Sequence, residues 1–182
     1  MFADSERKAS IVLEKLLKEN EFLVLDGAMG TMLQNSGLKS GEIPEIYNIT
    51  HSDIIVNIHK EYINAGAQVV YANTFGANRY KLASSPYSVE EVIKAAIKNA
   101  RTAVSGTNAL VALDVGPIGQ LLAPSGSLSF DDAYNYFKEE ILSAEDADII
   151  VIETMTDLGE CRAALLAAKE NCDKPVICTM TF

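Results

Sequence analysis

A chain of 182 residues, 48% hydrophobic and 22% charged, can bury one sizeable core but not two large ones. That balance excludes wholesale disorder. The formal charge of −10, from 15 Lys and Arg against 25 Asp and Glu, argues against a phosphate-backbone partner or an anionic membrane surface. No apolar run reaches the roughly 18 residues of a membrane-spanning helix. The first residues, Met1 to Lys8, are charged and read as a helix start, without the basic-then-apolar order of a secretory signal. Three cysteines, Cys161, Cys172 and Cys178, make no even framework and no C-x-x-C, which points to a reducing cytoplasm.

A leading helix is expected from about Ser5 to Asn20, with Ile11, Leu13, Leu16 and Leu17 on one face. The first strand is Phe22 to Leu25, ending at Asp26-Gly27. After the long irregular stretch Gln34 to Thr50, a helix from about Ser52 presents Ile54, Ile55, Ile58 and Tyr62 and stops near Gly66. The second strand, Gln68 to Ala72, ends at Asn73-Thr74. Ser88-Val89-Glu90-Glu91 is a capping box, and its helix runs to about Gly106. A third strand, Ala109 to Leu113, ends at Asp114, and a second irregular stretch covers Gly116 to Ser129. Helices from about Ser129 to Ala144 and from Asp157 to Asn171 flank a fourth strand, Asp148 to Ile152, which ends at Glu153-Thr154. The fifth strand is Pro175 to Thr181. Runs apolar throughout suit parallel strands covered on both faces.

Repeated βα units imply either a (β/α)8 barrel or an open doubly wound sheet. The strand ends recur about every 39 residues, and eight such units need roughly 300, within the usual barrel range. The chain stops at Phe182, directly after its fifth strand. The expectation is therefore an α/β fold comprising the N-terminal five βα units of a (β/α)8 TIM barrel, an incomplete barrel, in preference to a finished five-stranded open sheet.

Both architectures bind ligands at the carboxyl ends of their strands. Here those ends carry Asp26, Asn73 with Thr74, Asp114 and Glu153. Carboxylates delivered to one rim by separate strands can hold a cationic group, such as a substrate ammonium, through charge-assisted hydrogen bonds. Each acid alone reads equally as a cap for the next helix or turn; Glu153, a poorer cap, favours function. The turn Asp26-Gly27-Ala28-Met29-Gly30-Thr31 brings backbone N–H groups close to a small anion such as a carboxylate. It lacks the third glycine of a dinucleotide fingerprint, and no phosphate loop occurs, which disfavours an open nucleotide-binding sheet. His51 and His59 read as surface or boundary residues. The cysteine spacings, 11 and 6, match no zinc motif, and the three thiols read as buried and free.

Taken together, Leu25 to Gln34, Ala65-Gly66-Ala67 leading to Asn73-Thr74-Phe75-Gly76-Ala77-Asn78-Arg79, Asp114-Val115-Gly116-Pro117-Ile118-Gly119, and Ile152-Glu153-Thr154-Met155-Thr156-Asp157 resemble the homocysteine S-methyltransferase family. Within it, they are most similar to the homocysteine-binding barrels of cobalamin-dependent methionine synthases. The likeness runs in order from about Phe22 to Phe182. It implies a (β/α)8 barrel that moves a methyl group to homocysteine sulfur, giving methionine. It also implies that Asp26 and Glu153 bind the substrate amino group and that Gly27, Ala28 and Thr31 lie in the turn facing its carboxylate. By the same resemblance Asn73 and Thr74 line that pocket, with Asp114 at the same rim.

The resemblance further implies a zinc ion held by three cysteines, which deprotonates the homocysteine thiol into the better nucleophile. Those ligands follow later strands, in a lone-Cys motif and a Gly-Gly-Cys-Cys-type motif, and neither occurs before Phe182. Cys161, Cys172 and Cys178 match none of them. The expectation is a single domain, residues 1–182, truncated before the zinc segments, carrying part of the amino-acid pocket and inactive alone. The expected methyl donor is methylcobalamin, with S-methylmethionine or betaine as alternatives, and the remaining barrel half and cobalamin and folate modules are the expected partners in a longer protein. A non-catalytic amino-acid-binding or regulatory fragment is the competing function. Open edges at strands one and five predict poor stability or self-association.

Overall fold

Parallel strand pairing organises the chain. In the computed structural model, which describes residues 21–182 together with Leu13, Glu14, Leu17 and Lys18, four strands form one parallel sheet: β1 (Val69–Tyr71), β2 (Leu110–Val115), β3 (Ile149–Met155) and β4 (Val176–Met180). They lie side by side in chain order, with Val69 opposite Leu110, Ala112 opposite Ile149 and Ile150 opposite Val176. The sheet is open, not closed into a barrel. Before β1 come α1 (Met29–Asn35), a short 3-10 turn (Pro44–Ile46), α2 (Tyr47–Thr50) and α3 (Ser52–Asn64). The crossovers are α4 (Val89–Val104), α5 (Phe130–Ser143) and α6 (Leu158–Asn171).

Alternation along the strands divides the core. On the helix-covered face, Val70, Val111, Leu113, Ile150 and Ile152 pack with Val92, Ile93 and Ala96 of α4, Phe137 and Ile141 of α5, and the alanines of α6. On the opposite face, Val69, Leu110, Ala112, Ile149 and Val151 form a second cluster with Leu13, Leu23, Tyr71 and Ile177 packed against it. β2 is buried along its whole length, as a central parallel strand apolar on both faces requires.

Helix starts follow local chemistry. Ser88 Oγ accepts from Glu91 N at 3.2 Å while Glu91 Oε2 accepts from Ser88 N at 2.9 Å, completing the expected capping box. Ser129 Oγ and Asp157 Oδ1 cap α5 and α6. Arg101, near the end of α4, makes a bidentate pair with Asp148 at 2.7 and 2.8 Å, and Asp148 also accepts from Val111 N. One guanidinium thus joins a helix end to the start of β3.

Four expectations need correction. The first expected strand, Phe22 to Leu25, is reduced to one parallel bridge, Leu25 to Val69, flanked by the bonds Gln68 N to Val24 O and Asp26 N to Val69 O. Phe22 is 70% exposed, and with so little of this segment buried its pairing does not extend into a ladder. The stretch Gln34 to Thr50 contains the 3-10 turn and α2. His59 is fully buried, because Ile55, Ile58 and His59 share one face of α3 at spacings of three and four; burial pushes its imidazole down to about 4, so the ring is neutral. Of the cysteines, Cys161 is buried and Cys172 half-buried, but Cys178 is exposed because it lies on β4, the edge of the sheet. The expected leading helix from Ser5 to Asn20 lies outside the described residues apart from the four named.

Packing outweighs capping in this architecture. Phe137→Ala, which empties a fully buried site in α5, is expected to cost about 3–5 kcal/mol, and Ser129→Ala, which removes that helix's cap, about 1 kcal/mol. Urea midpoints at unchanged slope measure both, and a cap variant costing as much as the core variant would contradict the assignment.

Candidate functional site at the carboxyl rim

The face that carries the second apolar cluster ends in acids. Above Leu110 and Ala112 comes Asp114, and above Ile149 and Val151 comes Glu153, because residues two apart share a face. Parallel pairing brings these ends to the same side. There they line a cavity of about 510 Å3 with Asp26, Gly27, Ala28, Met29, Gly30, Pro44, Glu45, Tyr71, Asn73, Thr74, Phe75 and Thr154. Seven of the eight residues expected at the site, Asp26, Gly27, Ala28, Asn73, Thr74, Asp114 and Glu153, are therefore brought together. Thr31 is not. It sits in α1, where Leu33 turns inward to the core and Thr31 is left exposed.

Each acid is held differently. Asp26 Oδ2 accepts from Tyr71 N at 2.9 Å, so the carboxylate caps the missing ladder at the end of β1. Burial nonetheless pushes its carboxyl up to about 7, with Glu153 adding to the rise. Asp114 is only 8% exposed, and its Oδ1 has no hydrogen-bond partner among the described residues. Burial, reinforced by Glu153, Asp26 and Glu45, raises it well above the ordinary carboxylate range. Glu153 is half-buried and raised by desolvation. Tyr71 shares the crowding: burial and then Glu153, Asp114 and Asp26 push its phenol up to about 12. Lys81, its ammonium 5.0 Å from the Phe75 ring centroid, is the cation that partly offsets Glu45 and Asp114, as well as the buried Glu140 and Glu160.

The amide and hydroxyl at the end of β1 are structural. Asn73 Nδ2 donates to Pro44 O at 2.9 Å and to Asn48 Oδ1 at 3.1 Å, fastening the preceding loop over the rim. Thr74 Oγ1 donates to Asp114 O at 2.8 Å and accepts from Asp114 N at 3.0 Å. Its hydroxyl thereby positions Asp114. Glycine is needed at two approaches. A Cβ on Gly27 would lie 2.8 Å from the Tyr62 ring, whose Oη donates to Ala28 O and ties the turn to α3. A Cβ on Gly76 would strike Glu45, which accepts from Gly76 N at 2.7 Å.

Sequence reasoning missed Tyr71, Glu45, Phe75, Met29 and Thr154. Tyr71 was recoverable, since it stands two residues before Asn73 on the same alternation. Glu45 lies in a loop with no periodic signal. Thr154 has φ 58°, a left-handed conformation unusual for a β-branched residue, and falls where the β3–β4 register breaks between Ile152 and Met155. This irregularity turns the chain just beyond Glu153.

The described residues do not fit a three-thiolate zinc site. Among them, no group of three or more His, Cys, Asp and Glu side chains is arranged to hold a metal ion, and no cysteine lines the cavity. Nor is any described helix long and apolar enough to cross a membrane.

Comparison with known proteins agrees with this architecture. A family model described as homocysteine S-methyltransferase matches residues 23–182. The methionine synthase of Mycobacterium leprae is 31% identical over 164 residues, and that of Mycobacterium tuberculosis 32% over 165, each alignment covering 81% of this chain. The chain spans only 13% and 14% of those two proteins. In fold it is similar to the metallated form of the homocysteine methyltransferase MmuM from Escherichia coli, with TM-score 0.80 at 22% identity, covering 91% of this chain and 65% of that one. The apo form of the same protein gives TM-score 0.70.

A buried carboxyl whose folded-state pKa lies above its unfolded value opposes folding when ionised. Asp26 keeps its proton in the folded chain between the ordinary 3.8 and about 7, so its contribution to stability falls as pH rises through that window. Asp26→Asn, whose amide oxygen can still accept from Tyr71 N, is expected to stabilise the chain at pH 8 by on the order of 1–2 kcal/mol and to change nothing near pH 3. Urea denaturation at the two pH values checks this; equal effects at both would exclude it.

Proposed function

The chain belongs to the homocysteine S-methyltransferase family, and from that premise we propose that its rim cavity is the homocysteine-binding part of an enzyme methylating homocysteine sulfur to give methionine. The observation that carries the reading is the convergence of Asp26, Asp114 and Glu153, from three separate segments, on one cavity edged by the Gly27–Gly30 turn. Three acids crowded together, each raised above its ordinary pKa, gain most from a ligand that brings a positive charge. Asp26 and Glu153 grip the substrate ammonium, Asp114 closes the cavity beneath it, and backbone N–H groups of the turn face the substrate carboxylate. Asn73 and Thr74 hold the walls, through Pro44 and Asp114 respectively.

Zinc and a methylcobalamin donor, which the resemblance implies for the complete enzyme, belong in this reading to other segments of a longer protein. The small share of the matched methionine synthases that this chain spans supports that division. The part played by these residues is to bind and orient the amino acid. A reducing compartment, the cytoplasm, suits the three free thiols. The β4 edge, whose residues are half-buried or exposed, is completed by another strand, from the rest of the barrel or from a second copy.

Calorimetry with homocysteine and with its analogue lacking the amino group, 4-mercaptobutyrate, tests the ammonium assignment. Homocysteine is expected to bind and the analogue not, and Glu153→Gln to weaken homocysteine at least tenfold, about 1.4 kcal/mol, at unchanged fold. Equal binding of the two compounds would refute it. Gripping an ammonium requires ionised Asp26, so affinity is expected to fall about tenfold per pH unit below about 7; a flat profile from pH 5 to 8 would remove Asp26 from the role. Sedimentation of the purified chain is expected to show species above the 19.7 kDa monomer, and a cooperatively folding monomer at all concentrations would rule out the exposed edge as a pairing surface.

A further inference from the structure

Two thiols unconnected with the rim cavity meet on the helix-covered face of the sheet, where α6 crosses β4. Cys161 Sγ and Cys178 Sγ are 3.1 Å apart. Both backbones are anchored. Cys161 lies in the first turn of α6, held by Asp157 Oδ1 accepting from Gly159 N at 2.6 Å and Glu160 N at 3.1 Å. The adjacent Glu160 accepts from Ile118 N at 2.7 Å, pinning that turn to the loop after β2. Cys178 is registered opposite Ile152 in β3. The approach of the two sulfurs is therefore imposed by the packing of a helix on a strand. A bonded pair needs about 2.0 Å, a closure of about 1 Å that small side-chain rotations can supply.

We propose that Cys161 and Cys178 are a reversible redox pair, forming a disulfide that clips the edge strand β4 to α6 by exchange with a low-molecular-weight disulfide such as oxidised glutathione. The two thiols differ in access, which sets the order of events. Cys178 is exposed, whereas Cys161 is buried, and burial followed by the hydrogen bond with Cys178 pushes its thiol up to about 11. The Cys178 thiolate attacks one sulfur of the small disulfide, breaking its S–S bond. One glutathione thiolate leaves and takes up the proton that Cys178 lost. Cys161 then loses its proton to solvent as its sulfur attacks the Cys178 sulfur of the mixed disulfide, and the second glutathione departs as thiolate and is protonated. Two protein thiols are oxidised and one small disulfide is reduced to two thiols. Attack on the Cys178 sulfur is favoured by the short separation, which makes the second step intramolecular. Cys172 does not compete, since its Sγ donates to Ala168 O at 3.3 Å on the other end of α6.

The clip closes a loop across a sequence separation of 17 residues. It restrains the unfolded chain and holds β4 against its neighbour, at the margin where the sheet has least support.

The test uses the whole chain incubated with oxidised glutathione, quenched by alkylation and mapped as peptides by mass spectrometry without reduction. The expected result is a fall from three alkylatable thiols to one, that one being Cys172. The peptides containing Cys161 and Cys178 should be joined, the mass should drop by two hydrogens, and the urea midpoint should rise and return on reduction. Cys161→Ser should trap a lasting glutathione adduct at Cys178, while the parent chain keeps none. Persistence of three alkylatable thiols in the parent chain, a stable adduct at Cys178 in it, or joining only between different copies would each overturn the proposal, and none of these readings depends on a variant folding.

Discussion

Parallel register is the constraint on which the rest of the molecule depends. Pairing Val69 with Leu110 and Ala112 with Ile149 brings the carboxyl ends of β1, β2 and β3 to one side of the sheet, and alternation places Asp114 and Glu153 on the face opposite the crossover helices. A slip of one residue in β2 or β3 would turn its acid toward α4, α5 or α6 and its aliphatic neighbours out of the core. The fully buried β2 forbids that slip, since every side chain along it is committed to packing. The Arg101–Asp148 pair and the Thr74 bonds to the Asp114 backbone fasten the same register at its two ends.

Having collected its acids, the rim must tolerate them. Asp26, Asp114, Glu153 and Glu45 all have raised pKa values, and in each burial is the leading cause. The protein limits the strain through backbone donors: Tyr71 N serves Asp26 and Gly76 N serves Glu45. Lys81, over the Phe75 ring, offsets part of the rise at Glu45 and Asp114. What remains is a cavity of crowded carboxyls, with one buried oxygen, Asp114 Oδ1, that has no hydrogen-bond partner among the described residues. Buried carboxyls crowded in this way cost the fold more than their amide counterparts would.

The chain belongs to the homocysteine S-methyltransferase family and shares its fold with MmuM. The sheet is open at β4, and the described cysteines lie away from the cavity. The rim acids and the three thiols are thus separated in space: the acids follow the early strands, and no thiol lines their cavity. The thiols that are present serve the outer face of the sheet, where two of them meet.

Much of this was written locally in the chain. Apolar runs of strand length, the Ser88–Glu91 box and the polar ends of the runs defined the βα order, and seven of the eight residues expected at the rim do line one cavity, because strand period, capping and turn chemistry act between neighbours in sequence. Long-range packing decided the rest. Phe22 to Leu25 looked like a full strand but pairs through a single bridge, His59 is buried because α3 turns it inward with Ile55 and Ile58, and Thr31 rotates away because α1 begins two residues earlier. Glu45 reaches the cavity through a loop without periodicity, the anomalous φ of Thr154 follows a break in pairing with β4, and Cys161 meets Cys178 across a helix-to-strand contact. Those placements depend on which surfaces meet, a property of the folded chain that no local pattern of residues encodes.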